Sequence, residues 1–83
     1  MAHKITYKAS LESDLKKLDK AEAGRILNKI EGDLAQNPDK GEPLKGIFQG
    51  LYRYRVGDYR IIYTKTVEGV LVLRIGHRKD VYK

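Results

Sequence analysis

The sequence contains no cysteine. Disulfides, a thiolate zinc site and a cysteine nucleophile are excluded together, a composition at home in a reducing compartment. Long apolar runs are missing as well. The opening MAHKITYKAS lacks the hydrophobic stretch of a signal peptide, and nothing approaches the roughly 20 apolar residues of a membrane helix. The expectation is a soluble, cytosolic protein with no membrane partner. Repeats, low-complexity segments and internal linkers are also absent, so the 83 residues are expected to form one domain, 1–83. Such a domain buries only about 60–65% of the surface of its unfolded chain, and its core is thin.

The second half of the chain is short of acid. Residues 1–43 hold eight Lys/Arg and eight Asp/Glu, whereas residues 44–83 hold nine Lys/Arg against Asp58, Glu68 and Asp80. The whole net charge of +6 therefore sits in the second half. A one-sided basic half is the electrostatic footprint of a polyanion ligand. A solubilising lysine surface is the alternative, and the prominence of arginine favours the ligand.

What is present divides cleanly by period. His3–Tyr7 (HKITY) reads as a short first strand. Leu11, Leu15 and Leu18 form one helical stripe opened by Ser10. Asp19 with Glu22 resembles a capping box, which starts a second helix with the stripe Ala23, Ile26, Leu27, Ile30 and Leu34. The turn-rich NPDKGEP (37–43) closes this helical hairpin. From Leu51 onward the period is two, giving strands at 51–56, 59–66 and 70–76 with tight loops at Gly57-Asp58 and Glu68-Gly69. The fold class is α+β: an N-terminal strand, an α-helical hairpin, then a three-stranded antiparallel meander packed against the helices.

A two-residue loop at Gly57-Asp58 sets Arg55 opposite Arg60, with Arg53 two residues along on the same face. A loop at Glu68-Gly69 would bring His77 opposite Arg60. Arg53, Arg55, Arg60 and His77 are thus expected on one face, and Tyr52, Tyr54, Ile61, Tyr63 and Val72 on the core face. Like charges directly opposite cost a few tenths to about 1 kcal/mol. Carboxylates could neutralise them, but two of the three acids of this half, Asp58 and Glu68, lie in the turns. The arginines are therefore expected to serve an external anion, most naturally phosphate, which a guanidinium grips bidentately. The tail RIGHRKDVYK (74–83) adds a titratable ring, another cation and an aromatic suited to stacking on a base.

Two stretches in this order, LKGIFQGLYRYRVGDYRIIY (44–63) and VLRIGHRKDVY (72–82), resemble the RelE/ParE superfamily of toxin–antitoxin toxins, on its RelE side. With the leading strand and helix pair, the resemblance covers essentially the whole chain. It implies a RelE-like fold and a metal-independent endoribonuclease without cofactors. Such an enzyme cleaves mRNA in the ribosomal A site by attack of the RNA's own 2′-hydroxyl. It implies a cognate RelB-like antitoxin, acidic and partly disordered, and contact with operator DNA only indirectly through the antitoxin complex. Matched residue by residue, it implicates Arg53, Arg55, Arg60, Arg78 and Tyr82, with His77 at a position where relatives vary. Arg60 and Arg78 would stabilise charge developing on the pentacoordinate phosphate. Arg53 and Arg55 stand where RelE carries lysines, and arginine does not give up its proton. His77 is then the candidate general base or acid. Tyr82 would stack on the target base or assist proton transfer. Three alternatives remain at this point: a ParE-like toxin that inhibits DNA gyrase, a non-catalytic nucleic-acid- or ribosome-binding module, and a decayed toxin that retains only antitoxin binding.

Overall fold

A computed structural model describes residues 3–77. Strand β1 (Lys4–Tyr7) leads into helix α1 (Leu11–Lys16) and helix α2 (Lys20–Lys29), which continues through a wider π turn over Ile30–Leu34. Strand β2 (Glu42–Pro43), a 3₁₀ turn (Gly46–Phe48) and strands β3 (Tyr52–Val56), β4 (Tyr59–Lys65) and β5 (Gly69–His77) complete the fold. The five strands lie in the order β1-β5-β4-β3-β2, with β1 parallel to β5 and every other pair antiparallel. This is the expected α+β architecture with one added edge strand, β2.

Local chemistry sets the helix boundaries. Asp19 accepts the Glu22 backbone N–H at 2.8 Å, an N-cap of the usual kind. Glu22 does not return the bond; its carboxylate takes Arg25 instead. Only half of the capping box forms. Ile26, Ile30 and Leu34 recur every four residues, slightly more than the 3.6 of an α-helix. The wider turn at Ile30–Leu34 brings Leu34 back under the same face, and all three are fully buried.

That stripe and Leu11 pack on Val56, Ile61, Tyr63, Val70, Val72 and Ile75. The helices thus cover one face of the sheet, and Tyr52, Tyr54 and Tyr59 close the rim of the core. Tyr63 is enclosed completely. Its hydroxyl accepts from Gly41 N–H at 2.9 Å and donates to Pro38 C=O at 2.7 Å. A Cβ at Gly41 would stand 2.6 Å from that oxygen, so the close approach requires glycine there. The loop before β2 is pinned to the core in this way. Among the described residues no helix is long and apolar enough to cross a membrane.

Candidate functional site

Gly57 has φ +60° while no non-glycine residue among those described has positive φ, so Gly57-Asp58 makes the II′ turn that suits the twist of a hairpin. Val56 pairs with Tyr59, Arg55 with Arg60, and Arg53 with Ile62. Directly opposed residues share a face, so Arg53, Arg55 and Arg60 stand together on the side away from the helices. The hairpin register read from the sequence is the one the chain adopts.

The second hairpin departs from it. Thr66 and Gly69 exchange backbone hydrogen bonds, so the loop residues are Val67 and Glu68 rather than Glu68 and Gly69. Gly69 is needed elsewhere: a Cβ there would lie 2.3 Å from the Lys4 carbonyl of β1. The turn slides by one residue, which moves the partners of β4 by two. A bulge between Ile62 and Tyr63, opposite Leu73, returns one. The net slip of one residue sets Arg60 opposite Gly76 and His77 opposite Tyr59. His77 therefore lies on the helix-side face with Tyr59, not on the arginine face, and the expected convergence of His77 with the arginines is corrected. Its ring meets Tyr59 edge-on, with centroids 6.0 Å apart.

The same bulge delivers a residue that pattern reading left out. Arg74 pairs with Ile62, which pairs with Arg53, so Arg74 joins the arginine face. Arg78 and Tyr82 lie outside the described residues.

Acids from the first half of the chain reach two of these cations. The Arg53 guanidinium donates to Glu42 on β2 at 3.0 Å, and the Arg74 Nε donates to Asp14 on α1 at 3.2 Å. Asp14 also accepts Ile75 N–H at 3.1 Å. The parallel ladder of β1 ends at Tyr7–Val72, and beyond it this carboxylate caps the open edge of β5 in place of a strand. Asp14 is the one buried charged residue recorded among the described residues. It falls three residues after Leu11, inside the apolar stripe of α1. An acid interrupting a helical stripe was the available signal for it. Glu42 in its turn-rich loop carried none.

Arg55 and Arg60 behave differently. No carboxylate among the described residues pairs with either. The Arg60 Nε is buried without a hydrogen-bond acceptor. A buried guanidinium N–H without an acceptor is costly, and two opposed arginines add repulsion. An anion seated between them would relieve both. The described residues contain no group of three or more His, Cys, Asp or Glu side chains that could hold a metal ion.

On the helix side, the Tyr54 hydroxyl donates to the Asp33 carboxylate. That bond, first of all, holds the Asp33 carboxyl below the usual carboxylate range. Burial, and then the same bond, pushes the Tyr54 hydroxyl up. This pair ties the π turn to β3 and supports the arginine strand from behind.

Known proteins share this fold. The family described as the ParE toxin of type II toxin–antitoxin system, parDE, matches residues 5–82. Toxin RelE of Mycobacterium tuberculosis is 33% identical over 60 residues, covering 71% of this chain and 62% of that protein. The chain thus spans about three fifths of that relative's length. In the RelBE2 toxin–antitoxin complex of M. tuberculosis, a chain of 28% identity superposes with a TM-score of 0.86, over 94% of this chain and all of that one. A mutant of E. coli toxin RelE in the free state, 18% identical, shares the fold with a TM-score of 0.76 over 99% of this chain and 90% of its own. From a match running nearly end to end and a RelE-like fold, the chain belongs to the ParE toxin family of type II toxin–antitoxin systems, with RelE toxins among its relatives.

Proposed function

We propose that the protein is the toxin of a type II pair and acts as an endoribonuclease on mRNA in the ribosomal A site. The observation that carries this reading is the Arg55–Arg60 pair, opposed across β3 and β4 with the Arg60 Nε buried and without an acceptor. In the reaction, a 2′-hydroxyl oxygen attacks the adjacent phosphorus and the P–O5′ bond breaks. The 2′-hydroxyl proton leaves to a base, the 5′-oxygen takes up a proton, and a 2′,3′-cyclic phosphate remains. Negative charge gathers on the phosphoryl oxygens midway. Fixed guanidinium donors at that point act with no reorganisation, an effect worth 10²–10³ in rate per donor in comparable sites (on the order of). Arg60 and Arg55 supply these donors. Arg53, already held by Glu42, orients the strand.

His77 was the candidate proton-transfer group. Its place beside Tyr59 on the helix-side face keeps it out of the arginine cluster, so this reading uses the arginines for charge and leaves proton transfer to residues beyond that cluster. Arg78 and Tyr82 retain the roles that the family resemblance gives them. The antitoxin of such a pair would be a RelB-like chain, as in the RelBE2 complex.

The test is a message bearing a single 2′-deoxynucleotide at the cleaved position, on purified ribosomes. Cleavage of the all-ribose message, lost in the deoxy form, is the expected result. Equal cleavage of both would contradict 2′-hydroxyl attack. The family name ParE supports a second reading, gyrase inhibition. It predicts loss of DNA supercoiling activity in a purified gyrase assay, with messages intact.

A further inference from the structure

A cleft of about 400 Å³ opens between α1 and the end of β5, lined by Asp14, Lys17, Leu18, Tyr59, Arg74 and His77 among others. It lies on the helix side, across the β5 edge from the arginine face, and the arginine-based reaction gives it no task. Its volume falls within the roughly 300–1,000 Å³ of pockets that hold one small organic group. The lining is mixed. Leu18 and Ile75 give an apolar wall, and the edge-on Tyr59–His77 pair gives aromatic surface. Lys17 and Arg74 bring two cations against the single carboxylate of Asp14.

Arg74 links this cleft to the arginine face. Its backbone position is in the row Arg53–Ile62–Arg74, yet its side chain turns over the edge to Asp14. Asp14 engages the Nε alone and is itself anchored by Ile75 N–H. The guanidinium is therefore held by one corner, and its terminal nitrogens meet no acceptor among the described residues. The guanidinium side chain is 41% exposed. Lys17 likewise has no carboxylate partner among the described residues. A cation fixed at one corner and open at the other is preorganised for phosphate.

We infer that the cleft is a second nucleotide subsite. Resting on the RNA-cleaving reading, the strand crosses the β5 edge from Arg55–Arg60. The neighbouring nucleotide enters the cleft, with its phosphate on Arg74 and Lys17 and its base against Tyr59 and Leu18. Aromatic surface beside paired cations is how single-stranded RNA is held without duplex geometry. Asp14 is a positioning residue in this scheme, because it sets the Arg74 guanidinium at the rim.

The experiment is fluorescence anisotropy of the full chain with a fluorescein-labelled single-stranded RNA hexamer, titrated at several salt concentrations. Wild type, Lys17→Gln, Arg74→Gln, Arg60→Ala and the remote control Lys29→Gln are compared. Thermal melts run beside them, because Arg74→Gln leaves Asp14 without its cation. Lys17 takes part in no fold contact of that kind, so Lys17→Gln keeps the test decisive if Arg74→Gln unfolds. Each cleft variant is expected to weaken binding roughly 5- to 30-fold. Each is also expected to reduce the salt slope, by at most about 0.7, the value for one phosphate on a single strand, because the two cations serve the same phosphate. Lys29→Gln should match wild type. Folded Lys17→Gln and Arg74→Gln with wild-type affinity and slope, while Arg60→Ala loses binding, would overturn the subsite and leave the RNA reading intact. The same two variants keeping RNA but losing a co-expressed antitoxin would give the cleft to a protein partner and overturn it too. No RNA binding by wild type would remove both readings at once.

Discussion

Under the proposed function, Arg60 is the residue where stability and activity pull in opposite directions. Its Nε is buried without an acceptor and it faces Arg55 across the sheet, so the free protein carries an unrelieved cost at that point. Arg60→Met keeps an apolar stem of similar length and removes both penalties. It should raise unfolding free energy by about 1 kcal/mol in urea titration while lowering RNA cleavage at least ~100-fold. A site kept under strain for use would show this trade-off. A parallel loss of stability and activity would mean that Arg60 belongs to the scaffold. Asp33 gives a pH-dependent counterpart. Its carboxyl is held down in the folded state, chiefly by the Tyr54 hydroxyl. The folded protein therefore binds that proton less readily than the unfolded chain. The contribution is fully present above the unfolded value near 3.9 and fades as pH falls through the lower folded value. Asp33→Asn should be less stable than wild type at pH 7 in denaturant melts, and the gap should close below about pH 4.

At the scale of elements, the edge of β5 decides where the candidate functional side chains stand. β1 pairs with it only as far as Val72, and Asp14 takes over at Ile75. Asp14→Ala leaves the Ile75 N–H and the Arg74 guanidinium without their acceptor, a loss of about 2–4 kcal/mol. Hydrogen exchange should show the Ile75 amide losing protection while Ile61, paired between two strands, keeps it. Uniform loss of protection would place the damage in the core instead. The first hairpin was legible in the sequence because Gly57-Asp58 fixes both loop and register, and Arg55–Arg60 follows by counting. The second was not legible. Gly69 reads as a turn glycine, yet its role is to let β1 approach. The Leu73 bulge has no local signature. One residue of slip exchanged His77 for Arg74 on the arginine face, since strand side chains alternate with period two. The acids that reach Arg53 and Arg74 come from 11 and 60 residues away, contacts that sequence pattern alone does not specify.

On the scale of the whole molecule, one alternation gives the sheet two different faces. The helices bury one around Ile61, Tyr63 and Val72, and the other collects arginines from three adjacent strands. Two of those arginines are tethered by acids on α1 and β2, and Arg55 and Arg60 have no such partner among the described residues. Among the described residues the unpaired charge of this face is thus that of Arg55 and Arg60, side by side. Binding to single-stranded RNA should therefore fall with salt at a logarithmic slope of about −2 to −3, equivalent to three or four phosphates. A slope near zero would mean that charge plays no part in recognition. The most direct test of the account is primer extension on a message engaged by purified translating ribosomes, with wild type beside Arg60→Ala. The account predicts cuts within the A-site codon by wild type and their disappearance with Arg60→Ala at unchanged thermal stability. An intact message under folded wild-type protein that still arrests growth, or cuts that persist with Arg60→Ala, would contradict it.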